Sequence, residues 1–213
     1  MHALKIPTTR SLFAIKTNED VLRETILPGG LLTRVAKSHI RIGTFQFAIT
    51  KNNQILKTLA DYSIDRHYRD LKETDNKYLN FFAAVSDKQA SLISKWMSCG
   101  FIHGVMNTDN MAISGETIDY GPCAFMNHYD PKTVFSSIDH NGRYSYQNQP
   151  AILNWNLAKF AETLIPLVDE DEEISIKKLS EVLQHAMPLY QEYFYKEFAE
   201  KLGLQTIDNK NIK

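Results

Sequence analysis

The sequence predicts an α+β fold in which a short stretch of sheet leads into a mainly helical body. Three observations point there. Short apolar-rich runs broken by Asn, Pro and Gly fill the first fifty residues. From about residue 52 the apolar spacing turns helical, and the later segments carry helix start and stop residues. At 213 residues, 43% hydrophobic and 23% charged, the chain has ordinary globular composition, with length for one domain or a domain and a small appendage.

In order, SLFAIKT (11–17) and VLRETIL (21–27) read as strands separated by Asn18, and Pro28-Gly29-Gly30 leads to a third strand, LLTRVAK. Next, Ile55, Leu56, Leu59, Tyr62 and Ile64 fall on one helical stripe. Ser86 with Gln89 predicts a capping-box start, Ala90, Ile93, Trp96 and Met97 follow at helical spacing, and Gly100 supplies a left-handed stop. Pro150 suits the start of a helix whose Leu153, Leu157, Phe160 and Leu164 share a face. The acidic run 169–173 reads as a solvated connection. A last helix runs from about 175 to Gly203, interrupted or kinked near Pro188.

Composition excludes some functions. With 24 Lys plus Arg against 25 Asp plus Glu, the net charge of -1 gives no global case for nucleic acid or an anionic membrane surface as partner. No apolar run is long enough for a transmembrane helix, and the start MHALKIPTTR lacks a secretory pattern, so a cytoplasmic chain is expected. Cys99 and Cys123, without CxxC or Cys/His ligand spacing, are expected to be buried free thiols.

The chemistry concentrates in HGVMNTDNMAISGETIDYGP, residues 103–122. Magnesium prefers oxygen ligands and commonly shares one or two side chains with substrate phosphates. Asn110 offers an amide oxygen and Asp119 a carboxylate, and a hairpin around Ser114-Gly115 would let them converge. Asp and Asn are also common in turns, so spacing alone leaves a loop reading open. The order of elements adds weight: a helix, His103, a polar loop ending in Asn110, a hairpin, then Asp119-Tyr120-Gly121. Protein kinases place H-R-D-x-x-x-x-N and D-F-G in that series, with Asn and the second Asp on the metal. Aligned on Asn110, Val105 stands at the kinase's catalytic Asp, and valine cannot accept a proton. Asp109 is the nearest replacement, with a metal ligand or a loop cap as its other reading.

At these residues the chain resembles the selenoprotein O family, kinase-like protein adenylyltransferases. MHALKIPTTRSL, LPGGLLTRVAKSHIRIGTFQF, the 103–122 block and HNGRYSYQNQPAILNWNL all look like that family's motifs, in its order. The resemblance implies a protein-kinase-like fold, with residues 1–40 as the remnant of an N-lobe sheet and 41–213 as a helical C-lobe. It implies that Asp109 is the proton acceptor, that Asn110 and Asp119 hold Mg2+ or Mn2+, and that Arg34 and Arg41 grip the phosphates of ATP. The implied reaction joins AMP to Ser, Thr or Tyr hydroxyls of protein substrates and releases pyrophosphate. The family's glycine-rich loop and phosphate-pairing lysine find no counterpart here, so a central fragment is expected. A catalytically silent remnant, or a lobe that needs a separately encoded N-lobe, is the alternative. His103 is expected to anchor the loop by hydrogen bonding, and Trp96, Trp155 and Tyr190, Tyr193 and Tyr195 to belong to the core or its margin.

Overall fold

The computed structural model describes residues 1–204. Its sheet component is a long antiparallel ribbon, β1 (Arg10–Leu22) and β2 (Ile26–Val35), in place of the three short strands that the sequence pattern predicts. Asn18 does adopt a left-handed conformation, with φ of 61°, but inside β1. It sits in a bulge where the register slips between Lys16 and Asp20, and the reversal falls instead at Arg23, whose N–H reaches Thr25 O. Gly29 lies opposite this bulge, where a Cβ would stand 2.7 Å from Glu19 O. The Pro-Gly-Gly run therefore continues a strand. Leu12, Leu22, Ile26 and Leu31 are among the ribbon's exposed apolar side chains.

The helical body begins earlier than the spacing suggests. α1 (Ile42–Ile49) lies within the stretch read as sheet; eight residues that bury Ile42, Phe45 and Ala48 look like a strand when judged by apolar content alone. α2 (Asn53–His67) is capped by Asn52, whose side chain accepts from Ile55 N at 2.8 Å. Its buried face is Leu56, Ala60, Ser63 and Ile64, while Ile55 and Tyr62 of the expected stripe are exposed.

The central helix α3 (Lys77–Cys99) starts well before Ser86. Phe81, Phe82 and Val85 already belong to its buried face, and the Ser86 hydroxyl donates back to Phe82 O at 2.8 Å, so the expected capping box is absent. Gly100 ends it as expected, with φ of 72°.

α4 (Gln149–Val168) buries Leu153, Leu157, Phe160 and Leu164 completely, as their spacing predicts. The acidic run is more than a solvated link, because Asp171 caps α5 (Glu172–Leu202) by accepting from Glu173 N and Ile174 N, and Asp169 pairs with Lys178 at 2.8 Å. α5 continues through Pro188 without interruption. Leu179, Ala186, Tyr190 and Ala199, buried along its length, offset the lost backbone bond.

The core joins α1, α3 and α4 through edge-on aromatic contacts, Phe45–Phe160 at 5.0 Å and Phe81–Phe160 at 5.6 Å between ring centres. Burying each such ring contributes about 1.5–3 kcal/mol. The loop 103–122 adds Met106, Met111 and Ile113 to this core and is bonded to α3 and α1. Among the described residues no helix is long and apolar enough to cross a membrane.

Candidate active site

The turn around Gly115 is set by backbone chemistry. Gly115 has φ of 70°, its N–H returns to Ala112 O at 3.0 Å, and Met111 pairs antiparallel with Thr117. Asn110 precedes this bridge and Ile118-Asp119 follow it. On the other flank Arg41 pairs with Ala112, Ile42 N–H reaches Met111 O and Ile113 N–H reaches Ile40 O, each at 3.0 Å. The start of α1 is thus laced to the turn.

His103 anchors the loop in the way its position suggests. It is 1% exposed, stacks on Trp96, and donates from Nε2 to Ile118 O at 2.7 Å. Its Nδ1 accepts from Val105 N, which places the ring proton on Nε2. Burial pushes its pKa down, so the ring is neutral in this role. Val105 lends only backbone: its carbonyl accepts from Asn110 Nδ2 at 2.8 Å. With the amide nitrogen so engaged, Asn110 Oδ1 has no hydrogen-bond partner among the described residues.

Asp109 lies in a 3-10 turn (Thr108–Asn110) with its side chain against the first turn of α1. The contact is so close that a Cβ on Gly43 would fall 2.1 Å from Asp109 Oδ1. Thr108 fastens the same turn by donating to Gln46 Oε1 at 2.6 Å. Asp119 is exposed and left-handed at φ of 58°, a conformation unusual for a residue with a side chain and one that collects at functional sites. Gly121 N–H closes the following bend on Asp119 O at 2.9 Å.

The structure thus places Asp109 and Asn110 before one laced turn and Asp119 after it, with the Arg41 backbone paired to Ala112 within it. Arg34 stands at the base of the ribbon opposite Ser11, where β1 leaves the Thr8–Thr117 bridge; among the described residues no side-chain hydrogen bond or ion pair ties it to the turn. Cys99 and Cys123 are free thiols, partly rather than fully buried. Trp96 and Tyr190 belong to the core, whereas Trp155 is 39% exposed beneath the Arg143 guanidinium.

Compared with known proteins, the chain matches the family model for protein adenylyltransferase SelO over residues 1–213. The chain belongs to the SelO family. Its relatives include the protein nucleotidyltransferase YdiU of Rhizobium etli, 55% identical over all of this chain and 43% of that protein. YdiU of Shouchella clausii is 57% identical over 96% of this chain and 42% of that protein, and YdiU of Anoxybacillus flavithermus 55% identical over 100% and 45%. The chain spans less than half the length of these curated relatives.

What sequence reasoning missed in this SelO chain is the polar scaffold beneath the loop. Gln149 accepts from His103 N at 3.0 Å and donates to Phe101 O at 2.9 Å, Asn156 donates to Met106 O at 2.8 Å, and Gln89 donates to Ala112 O. Trp96 Nε1 donates to Thr117 Oγ1, which donates to Pro7 O, both at 2.9 Å. Each amide sits at a core register position on its helix, and an uncharged amide where a leucine would fit was the available signal. Gly43 was legible only once Asp109 lay against it.

Proposed function

We propose that this chain carries the metal- and phosphate-holding floor of a protein adenylyltransferase with a kinase-like arrangement. In it, residues 1–40 end an N-lobe sheet and residues 41–213 form the C-lobe. The reading is supported by the placement of Asp109, Asn110, Asp119 and the Arg41 backbone along one turn, in a chain whose whole length matches the SelO family. The donor set suits a hard cation: an amide oxygen with its nitrogen already engaged, and a carboxylate without a cation partner among the described residues. Asn110 Oδ1 and Asp119 would hold Mg2+ or Mn2+, which when bound neutralises phosphate charge.

The remaining roles fall to the chain itself. Arg41 and Arg34 grip phosphate oxygens of ATP with forked, permanently charged donors. The hydroxyl oxygen of a protein Ser, Thr or Tyr attacks the α-phosphorus, the bond from that phosphorus to the bridging oxygen breaks, and pyrophosphate leaves with the electron pair. Asp109 accepts the hydroxyl proton, a contribution of about a hundred- to ten-thousandfold in rate for a positioned base. We place this chemistry in the cytoplasm.

The test is incubation with a protein acceptor, Mg2+ or Mn2+, and ATP labelled at either the α- or the γ-phosphate. Label on protein from the α position is expected. Transfer from the γ position alone would replace the reading with phosphorylation, and no transfer from either would favour the silent or incomplete lobe.

A further inference from the structure

Beside the first turn of α1 lies a concave site of which the reaction above uses only Arg41. Residues 36–41 and Thr44 form one wall, and Tyr62, Arg66 and His67 at the end of α2 form the other, enclosing about 450 Å3. That is room for a small ligand with its water. Its charge is one-sided, because Lys37, Arg41 and Arg66 line it together with two histidines, His39 and His67, while among the described residues no carboxylate does. Among the described residues none of the three permanent cations joins an ion pair.

The nearby acid makes no ion pair with them among the described residues. Glu116 is 5% exposed, and its Oε2 accepts from the Lys37 backbone N–H at 2.7 Å and from the Ser114 hydroxyl at 3.1 Å. It pins the wall through these two bonds. His67 adds a second sign: its Nε2 is buried and has no hydrogen-bond partner among the described residues. Burial, and then the proximity of Arg66 and Lys88, push its pKa down against the upward pull of Glu116.

Unpaired like charges around a concavity cost free energy that a multivalent anion recovers, and guanidinium and ammonium groups favour phosphate oxygens. We propose that this cavity is a binding site for a diphosphate anion, gripped by Arg66 and Lys37 with Arg41 at its inner edge. Position names the source. Arg41 and Thr44 line the cavity, whereas Gly43 between them touches the Asp109 carboxylate, so a single helical turn separates the site from the proposed base. On the adenylyl-transfer reading, on which this assignment of source rests, the anion is the pyrophosphate that leaves.

Calorimetric titration of inorganic pyrophosphate into the full 213-residue chain, with a chelator present so that no divalent ion takes part, tests the site. Binding to one site is expected, weakened at least tenfold by R66Q combined with K37Q and left unchanged by D139N, in a loop that does not line the site. Both replaced side chains are exposed, and circular dichroism checks that the variant stays folded. Absence of pyrophosphate binding, or equal affinity in the double variant, overturns the proposal. The source is tested separately by pyrophosphate inhibition of α-label transfer, which the double variant should relieve. If pyrophosphate binds through Arg66 and Lys37 but no α-label reaches protein, the anion site stands and the adenylyl-transfer reading falls.

Discussion

Replacing Gly43 by alanine tests the placement of Asp109 more directly than removing the carboxylate. The new Cβ would lie 2.1 Å from Asp109 Oδ1 and 2.9 Å from Cγ, whereas the nearest backbone atom, Asp109 Cα, is 3.4 Å away. Relief to an ordinary contact moves the carboxylate oxygen by about 1 Å, and a misplacement of about 1 Å near reacting groups costs about a hundredfold in rate. Folding should barely notice. Alanine gains up to about 1 kcal/mol in helix propensity over glycine, and withdrawing an acidic group from a helix start loses about 0.3–1 kcal/mol. The balance lies within about 1 kcal/mol, or a melting shift of no more than about 2–4 °C for a domain of this size. Calorimetric melting paired with α-label transfer separates the two effects. Transfer within about twofold of the parent would show that the observed position of Asp109 is not the one used. A melting drop well beyond that range would show that the backbone, and not the side chain, must yield.

Thr117→Val should leave the Trp96 indole N–H without its partner in a site 1% exposed, while Pro7 O keeps the Thr117 backbone N–H. The expected loss is about 1–3 kcal/mol, read by urea unfolding, and an unchanged midpoint would contradict it. At Asp61, burial alone would raise the carboxyl, but hydrogen bonds from Lys57, Lys77 and Tyr78 outweigh it and hold the pKa at about 2 against an ordinary 3.8. The folded state therefore gains stability from this group above the ordinary value and loses it as pH falls toward 2. Asp61→Asn should lower the melting temperature at neutral pH and flatten its acid dependence between those two values. Asp119→Ala should weaken Mn2+ binding at least tenfold in an electron paramagnetic resonance titration. Asp139→Ala, which removes a carboxylate that caps the Arg143 and Tyr144 N–H groups of its own loop, should leave Mn2+ affinity unchanged.

Local chemistry in the sequence determined the features set within a few residues: the Gly100 and Gly203 helix stops, the buried stripe of α4, the turn at Gly115, and the succession of His103, Asn110 and Asp119. It misjudged cases in which one local pattern serves two structures. Asn18 with Pro28-Gly29-Gly30 is as good a bulge as a turn, and Ser86 with Gln89 caps a helix only when nothing apolar extends it backward. Eight apolar-rich residues at 42–49 fit strand or helix until Phe45 finds Phe160.

Only tertiary structure decided how the candidate site is held. Arg41 reaches the turn because Ile40 and Ile42 pair with Met111 and Ile113 across a long separation in sequence. The amides of Gln89, Gln149 and Asn156 become supports because buried carbonyls must find donors wherever the packed helices supply them. Such pairings depend on which distant segments share a buried surface, and a linear pattern of residue types carries no record of that choice.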